Sequence, residues 1–86
     1  MVTVSCWRRR AGADPEAFRK AVTALGACRS SHPGVQRCRV YWQSDDVVAI
    51  EIEAEPCYLT AAPPIDVARL VYDLASLGEP AGTFRW

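Results

Sequence analysis

Residues 35–54 read Val35-Gln36-Arg37-Cys38-Arg39-Val40-Tyr41-Trp42-Gln43-Ser44-Asp45-Asp46-Val47-Val48-Ala49-Ile50-Glu51-Ile52-Glu53-Ala54. Both halves alternate with the period of a strand. Cys38, Val40 and Trp42 share one face, and Val35, Arg37, Arg39 and Tyr41 the other. In the return half, Val48, Ile50 and Ile52 oppose Val47, Ala49, Glu51 and Glu53. Ser44 to Asp46 is polar and short, the composition of a hairpin loop. A three-residue loop sets Arg39 opposite Glu51 and Arg37 opposite Glu53, worth about 0.2–1 kcal/mol per exposed pair.

Upstream, Pro33-Gly34 stops a helix and turns the chain into this hairpin. The helix runs from about 15 to 30: Asp14 offers an N-cap, Pro15 suits the first helical position, and Glu16 complements the helix dipole. Its apolar stripe is Phe18, Val22, Leu25 and Cys28. Residues 2–8 alternate as a strand, with Val2, Val4 and Cys6 on one side and Thr3, Ser5 and Trp7 on the other. Downstream, Glu55 to Ala62 is irregular. Pro63-Pro64 opens a second helix with the stripe Val67, Leu70, Val71, Leu74, Leu77; Gly78 fits its C-cap and Pro80 lies just beyond. Ala81 to Trp86 suffices for a short last strand.

The order is β-α-β-β-α-β over one domain, residues 1–86. It predicts an α+β fold of ferredoxin-like type, an antiparallel sheet with two helices on one face. Val2, Val4 and Cys6 are expected under the helices with Cys38, Val40, Trp42, Val48, Ile50 and Ile52. The other face then carries Thr3, Ser5, Trp7, Arg37, Arg39, Tyr41, Val47, Ala49, Glu51 and Glu53. An aromatic and apolar surface with embedded ion pairs has the composition of an interface or a pocket wall. The alternative is a solvated charge ladder.

Composition bounds the function. At 86 residues the chain buries about 60–65% of its unfolded surface, so a second copy covering the open face would strengthen the core. Half the residues are apolar, against disorder. Ten basic residues balance ten acidic ones, which argues against nucleic acid or an anionic membrane as partner. Nine of the ten basic residues are Arg, the codon bias of a GC-rich bacterial genome. Cys6, Cys28, Cys38 and Cys57 form no CxxC pair, and Met1 runs directly into a strand without an apolar leader. Free thiols in a reducing cytoplasm are the expectation. No apolar run approaches the roughly 20 residues of a membrane span.

With His32-Pro33-Gly34-Val35, Arg39-Val40-Tyr41 and Asp46-Val47-Val48-Ala49-Ile50-Glu51 in place, the chain resembles the dimeric α+β barrel proteins, in particular the antibiotic-biosynthesis-monooxygenase-like group. The resemblance covers nearly the whole chain as topology. It implies a homodimer whose sheets face each other in an eight-stranded barrel. It also implies a small-molecule site between sheet and helical segment, and chemistry that needs no cofactor. Family members often carry a Trp two residues past the strand Glu; here that position is Glu53. Members that degrade haem use an Asn on the first strand and a His on the second helix. This chain has Thr3 and Ser5 on that strand and no His in residues 63–78, which disfavours haem chemistry.

Several residues are candidates for chemistry. His32, the single histidine, has the unperturbed pKa of a general acid or base; Glu51 is an alternative proton acceptor. Tyr58 and an Arg (Arg37, Arg39 or Arg85) are candidates for stabilising an anion. Trp42 on the sheet and Tyr58 above it would sandwich a planar aromatic ligand, with Trp7, Arg37, Arg39, Tyr41 and Tyr72 as further binding residues. Phe84 and Trp86 fit core or dimer contacts. No metal site is expected, because one His and four scattered Cys give no ligand spacing. Cys57 lacks the companions of a nucleophile, and Arg8-Arg9-Arg10 fits a solvated turn better than an anion grip.

Two functions fit. One is an enzyme acting on an aromatic or polyketide-like metabolite in secondary metabolism, either a cofactor-free monooxygenase or a cyclase. The other is a non-catalytic dimer that binds a small ligand or a partner protein, favoured by the lack of a clear acid–base pair.

Overall fold

The central hairpin forms with the anticipated register. In the computed structural model β2 (Val35–Trp42) and β3 (Val47–Ala54) pair antiparallel, with Arg39 opposite Glu51 and Arg37 opposite Glu53. The structure describes residues 1–85 and, apart from Thr60 and Arg85, their side chains. Trp86 and the Arg85 side chain, both named above, lie outside the described residues.

Before the hairpin come β1 (Val2–Arg9) and α1 (Pro15–Ser30); after it come α2 (Pro56–Thr60), α3 (Ile65–Leu77) and β4 (Gly78–Arg85). The four strands form one antiparallel sheet in the order β2-β3-β1-β4, the ferredoxin-like arrangement. Asp14 caps α1 by accepting from the Glu16 N–H at 3.3 Å. The apolar stripe of α1 meets that of α3 over the sheet, so Phe18, Val22, Leu25, Val48, Ile50, Val67 and Leu74 are fully enclosed. Among the described residues, no helix is long and apolar enough to cross a membrane.

Three expectations need correction. The segment after β3 is not wholly irregular: Pro56, at the first turn, opens the five-residue helix α2. The last strand starts at Gly78 rather than Ala81. It tolerates Pro80 because it is an edge strand, and it absorbs an extra residue at a bulge near Gly82, whose φ of 148° favours glycine.

The third correction matters most. Trp7 pairs with Val48, Ser5 with Ile50 and Thr3 with Ile52, so these three residues lie under the helices. Val2, Val4 and Cys6 lie on the open face instead, opposite Glu53, Glu51 and Ala49. Both faces of β1 are apolar enough to be buried, and size decides between them. Enclosing an indole removes far more apolar area from water than enclosing Cys6, and Trp7 is 9% exposed. Thr3 and Ser5 are carried inward by the same alternation.

The open face therefore combines Val2, Val4, Cys6, Val47, Tyr41 and Phe84 with the Arg/Glu ladder. Phe84, opposite Val4, is 58% exposed and Tyr41 43%. Arg37 holds Glu53 at 3.0 Å and Glu51 at 3.6 Å. Arg39 interacts chiefly with the Tyr41 hydroxyl, which raises its already high pKa. The basic run at the end of β1 is used locally. Arg9 pairs with Asp46 at 2.8 Å and donates to the Ala13 carbonyl at 2.6 Å, while Arg10 donates to the Ala75 carbonyl at 3.1 Å.

Candidate functional site

Turning Thr3 and Ser5 inward has a structural cost and a functional consequence. Two short polar side chains stand beside Ile52 and Ile50 of β3, and the space above them is not filled. A cavity of about 300 Å³ lies there, between the sheet and the helices. Thr3, Ser5, Ile52 and Thr83 form its floor; Arg29 of α1, Tyr58 and Leu59 of α2 and Val67 of α3 form its walls. Its volume reaches the lower end of the range for small-ligand sites.

The polarity of the wall is specific. Among buried side-chain oxygens, Thr3 Oγ1 and Tyr58 Oη have no hydrogen-bond partner among the described residues. A buried hydroxyl left unpaired costs about 1–3 kcal/mol, and here both belong to residues lining the same cavity. Burial raises the pKa of Tyr58, partly offset by Arg29, so it stays a neutral phenol able to donate. Burial lowers the pKa of Arg29, but a guanidinium remains charged. The site thus sets two unpartnered hydroxyls and one fixed positive charge, with the Ser5 and Thr83 hydroxyls nearby, among apolar walls, a set that can stabilise an oxyanion.

α2 positions Tyr58 through two contacts. Gly34 lets the ring approach, because a Cβ there would lie 3.1–3.3 Å from three Tyr58 side-chain atoms. On the other side the ring meets His32, tilted at 55° with centroids 6.0 Å apart. His32 in turn contacts Asp66 (Nε2 to Oδ2, 3.2 Å) and Cys28 (Nε2 to Sγ, 3.8 Å). The Cys28 thiol reaches the same Asp66 oxygen at 3.5 Å. Burial, then Asp66, raises the pKa of Cys28. Desolvation would raise that of Asp66, but the Val67 N–H, the Cys28 thiol and the His32 ring outweigh it and bring the carboxyl below its usual range.

Of the residues expected at a site, the fold brings His32 and Tyr58 together and separates the others. Trp42 packs edge-to-face on Phe18 at 5.9 Å and lies under the Arg19 guanidinium at 4.3 Å. That is the opposite end of α1 from Cys28 and His32, about 14 Å along the helix, so Trp42 and Tyr58 do not sandwich one ring. Trp7 is in the core. Glu51, Arg37, Arg39 and Tyr41 lie on the open face, beyond the sheet from the cavity. Tyr72 is 77% exposed on α3 and away from the cavity wall. Sequence reasoning missed Arg29, which looks like any charged residue beside an apolar stripe, and it assigned Thr3 to the wrong face. It also passed over Cys28-x-x-x-His32, an i,i+4 spacing visible at the end of α1.

No protein-family model matches the sequence, and no curated protein matches it significantly. Solved structures do match. SnoaB from Streptomyces nogalater, described as a cofactor-independent oxygenase, aligns over 99% of this chain and 90% of its own with a TM-score of 0.76. This chain shares the SnoaB fold. Sequence identity is 14%, so the likeness is one of architecture. A Bacteroides thetaiotaomicron protein of unknown function, described as a possible oxidoreductase, covers 99% of this chain at a TM-score of 0.68 and 17% identity, over 96% of its own length. YJCS covers 96% of this chain and 91% of its own at a TM-score of 0.71 and 13% identity.

Proposed function

We propose that this chain is a homodimeric enzyme acting on a planar, hydroxylated aromatic or polyketide-like metabolite, as a cofactor-independent monooxygenase or a cyclase. The observation that carries this reading is the pair of unpartnered hydroxyls, Thr3 and Tyr58, on a cavity that also holds Arg29. The anion of a bound phenol oriented toward them would gain a fixed cation and two donors without solvent reorganisation, against the cost of desolvation, with its proton passing to solvent. An electron-rich phenolate reduces dioxygen directly, or attacks an electrophilic carbon of its own chain, so the protein need only orient the ring and exclude water. SnoaB supports the oxygenase branch by its fold. In this reading His32 and Asp66 position Tyr58, since neither lines the cavity. Glu51, on the open face, has no part in it.

A second reading, a dimer that binds a ligand without converting it, is favoured by one observation: among the described residues, no carboxylate or imidazole lines the cavity to accept a proton from a substrate. Oxygen uptake separates the two. With a tricyclic phenol as substrate, the oxygenase branch predicts uptake above the uncatalysed rate, reduced roughly tenfold or more by Tyr58→Phe or Arg29→Met. Saturable binding with neither oxygen uptake nor ring closure supports the second reading. Absence of binding contradicts both.

A further inference from the structure

Cys28, His32 and Asp66 come from the last turn of α1, the loop behind it and the first turn of α3. Their side-chain atoms close a triangle: Sγ to Nε2 is 3.8 Å, Sγ to Oδ2 is 3.5 Å, and Nε2 to Oδ2 is 3.2 Å. Hydrogen bonds from the Cys28 thiol and from an Nε2–H to Asp66 Oδ2 account for two edges. They leave the Sγ–Nε2 edge, at 3.8 Å, without a bonding role. Nor is it a nucleophilic relay, in which cysteine and carboxylate engage opposite nitrogens of the imidazole; here both meet Nε2.

A single cation satisfies all three corners. A tetrahedral ion with bonds of about 2.3 Å to thiolate and about 2.0–2.1 Å to imidazole and carboxylate spans about 3.6 Å on its sulfur edges and about 3.4 Å between nitrogen and oxygen. The triangle matches those edges to within about 0.3 Å.

The supporting groups fit as well. The other Asp66 oxygen, Oδ1, accepts the Val67 N–H at 2.9 Å, which orients the carboxylate and leaves Oδ2 for a ligand role. The His32 backbone is held from both sides, donating to the Arg29 carbonyl at 3.2 Å and accepting from the Val35 N–H at 3.1 Å. We propose that Cys28, His32 and Asp66 bind one divalent ion of the zinc class, with three protein ligands and one open coordination position. The mixed sulfur, nitrogen and oxygen set suits a borderline-soft ion rather than Mg²⁺ or Ca²⁺.

None of its ligands lines the cavity, so ion binding can be tested without the small-molecule ligand. It is mechanically linked to the cavity, since the ion ties α3 to the end of α1 and fixes the imidazole against which Tyr58 rests. Binding replaces the thiol proton, which is released to solvent.

The test is a Co²⁺ titration of chelator-treated protein kept reduced with a phosphine. The expected result is one equivalent per chain, a near-ultraviolet thiolate-to-cobalt band and intense visible bands of tetrahedral type, all displaced by Zn²⁺. Cys28→Ser should remove the near-ultraviolet band and weaken Zn²⁺ binding roughly tenfold or more. Cys57→Ser, at an exposed cysteine outside the triangle, should leave both unchanged. Zn²⁺ should also raise the melting temperature of the wild type and not that of Asp66→Ala. A saturated Co²⁺ spectrum without the thiolate band, or Zn²⁺ affinity unchanged in Cys28→Ser, would overturn the proposal.

Discussion

Thr3 and Tyr58 each bury a hydroxyl oxygen without a partner among the described residues, which predicts opposite effects on stability and binding. Thr3→Val keeps the shape and removes the unpaired oxygen, so the free protein should gain about 1 kcal/mol in urea unfolding. Affinity for a phenolic ligand should fall in the same variant. A loss of stability in Thr3→Val would mean that the hydroxyl is already satisfied. Titration gives a second prediction at this scale. Burial raises the pKa of Cys38, against smaller opposing effects of Arg29 and Ser30, and burial likewise raises that of Tyr58. A group whose pKa is higher in the folded state stabilises the fold below its unfolded pKa, and that contribution is lost as pH rises through the folded value. Melting temperature should therefore decline from about pH 9 upward, and Cys38→Ser should flatten the first part of the decline. An unchanged slope in Cys38→Ser would contradict this.

Among the elements, α2 depends most on its neighbours. Five residues are too few to form a stable helix alone, so the packing of Tyr58 on Gly34 and His32 fixes its place. Gly34→Ala places a methyl 3.1–3.3 Å from the Tyr58 side chain, and α2 must shift to accommodate it. Ligand affinity should fall several-fold while far-ultraviolet circular dichroism stays unchanged; full affinity would show that Tyr58 is not held there. This element also marks where the sequence stopped being legible. The β2–β3 hairpin was readable down to its register because Ser44 to Asp46 fixed the loop and the two strands carried opposite charges. α1 was readable from Asp14-Pro15 and its stripe. β1 was not, since Val2, Val4 and Cys6 compete on nearly equal terms with Thr3, Ser5 and Trp7, and only tertiary packing of the indole resolves the competition. The site followed that error. A cavity made by inward-facing small polar residues leaves no periodic signal, and Arg29 and Asp66 become neighbours of Tyr58 only through packing.

At the scale of the whole molecule, the corrected register makes the open face more apolar than the sequence implied. Val2, Val4 and Cys6 now share it with Phe84, Val47 and Tyr41, and the Arg37 ladder is self-compensated rather than strongly charged. Such a face suits a second copy of the chain, whose sheet would enclose both ladders. Sedimentation equilibrium should give a dimer at micromolar concentration, and Val4→Arg should give a folded monomer. A wild-type monomer at those concentrations would remove the barrel from the account.

The central claim is that ligand binds beneath the helices, on the Thr3 side of the sheet. An amide ¹H–¹⁵N chemical-shift titration with a tricyclic hydroxylated aromatic tests it most directly. The predicted result is a set of saturable shifts at Thr3, Ser5, Arg29, Tyr58 and Thr83, with Arg37, Arg39, Tyr41 and Glu51 little changed. Shifts confined to those last four residues would place the ligand on the open face and contradict the account.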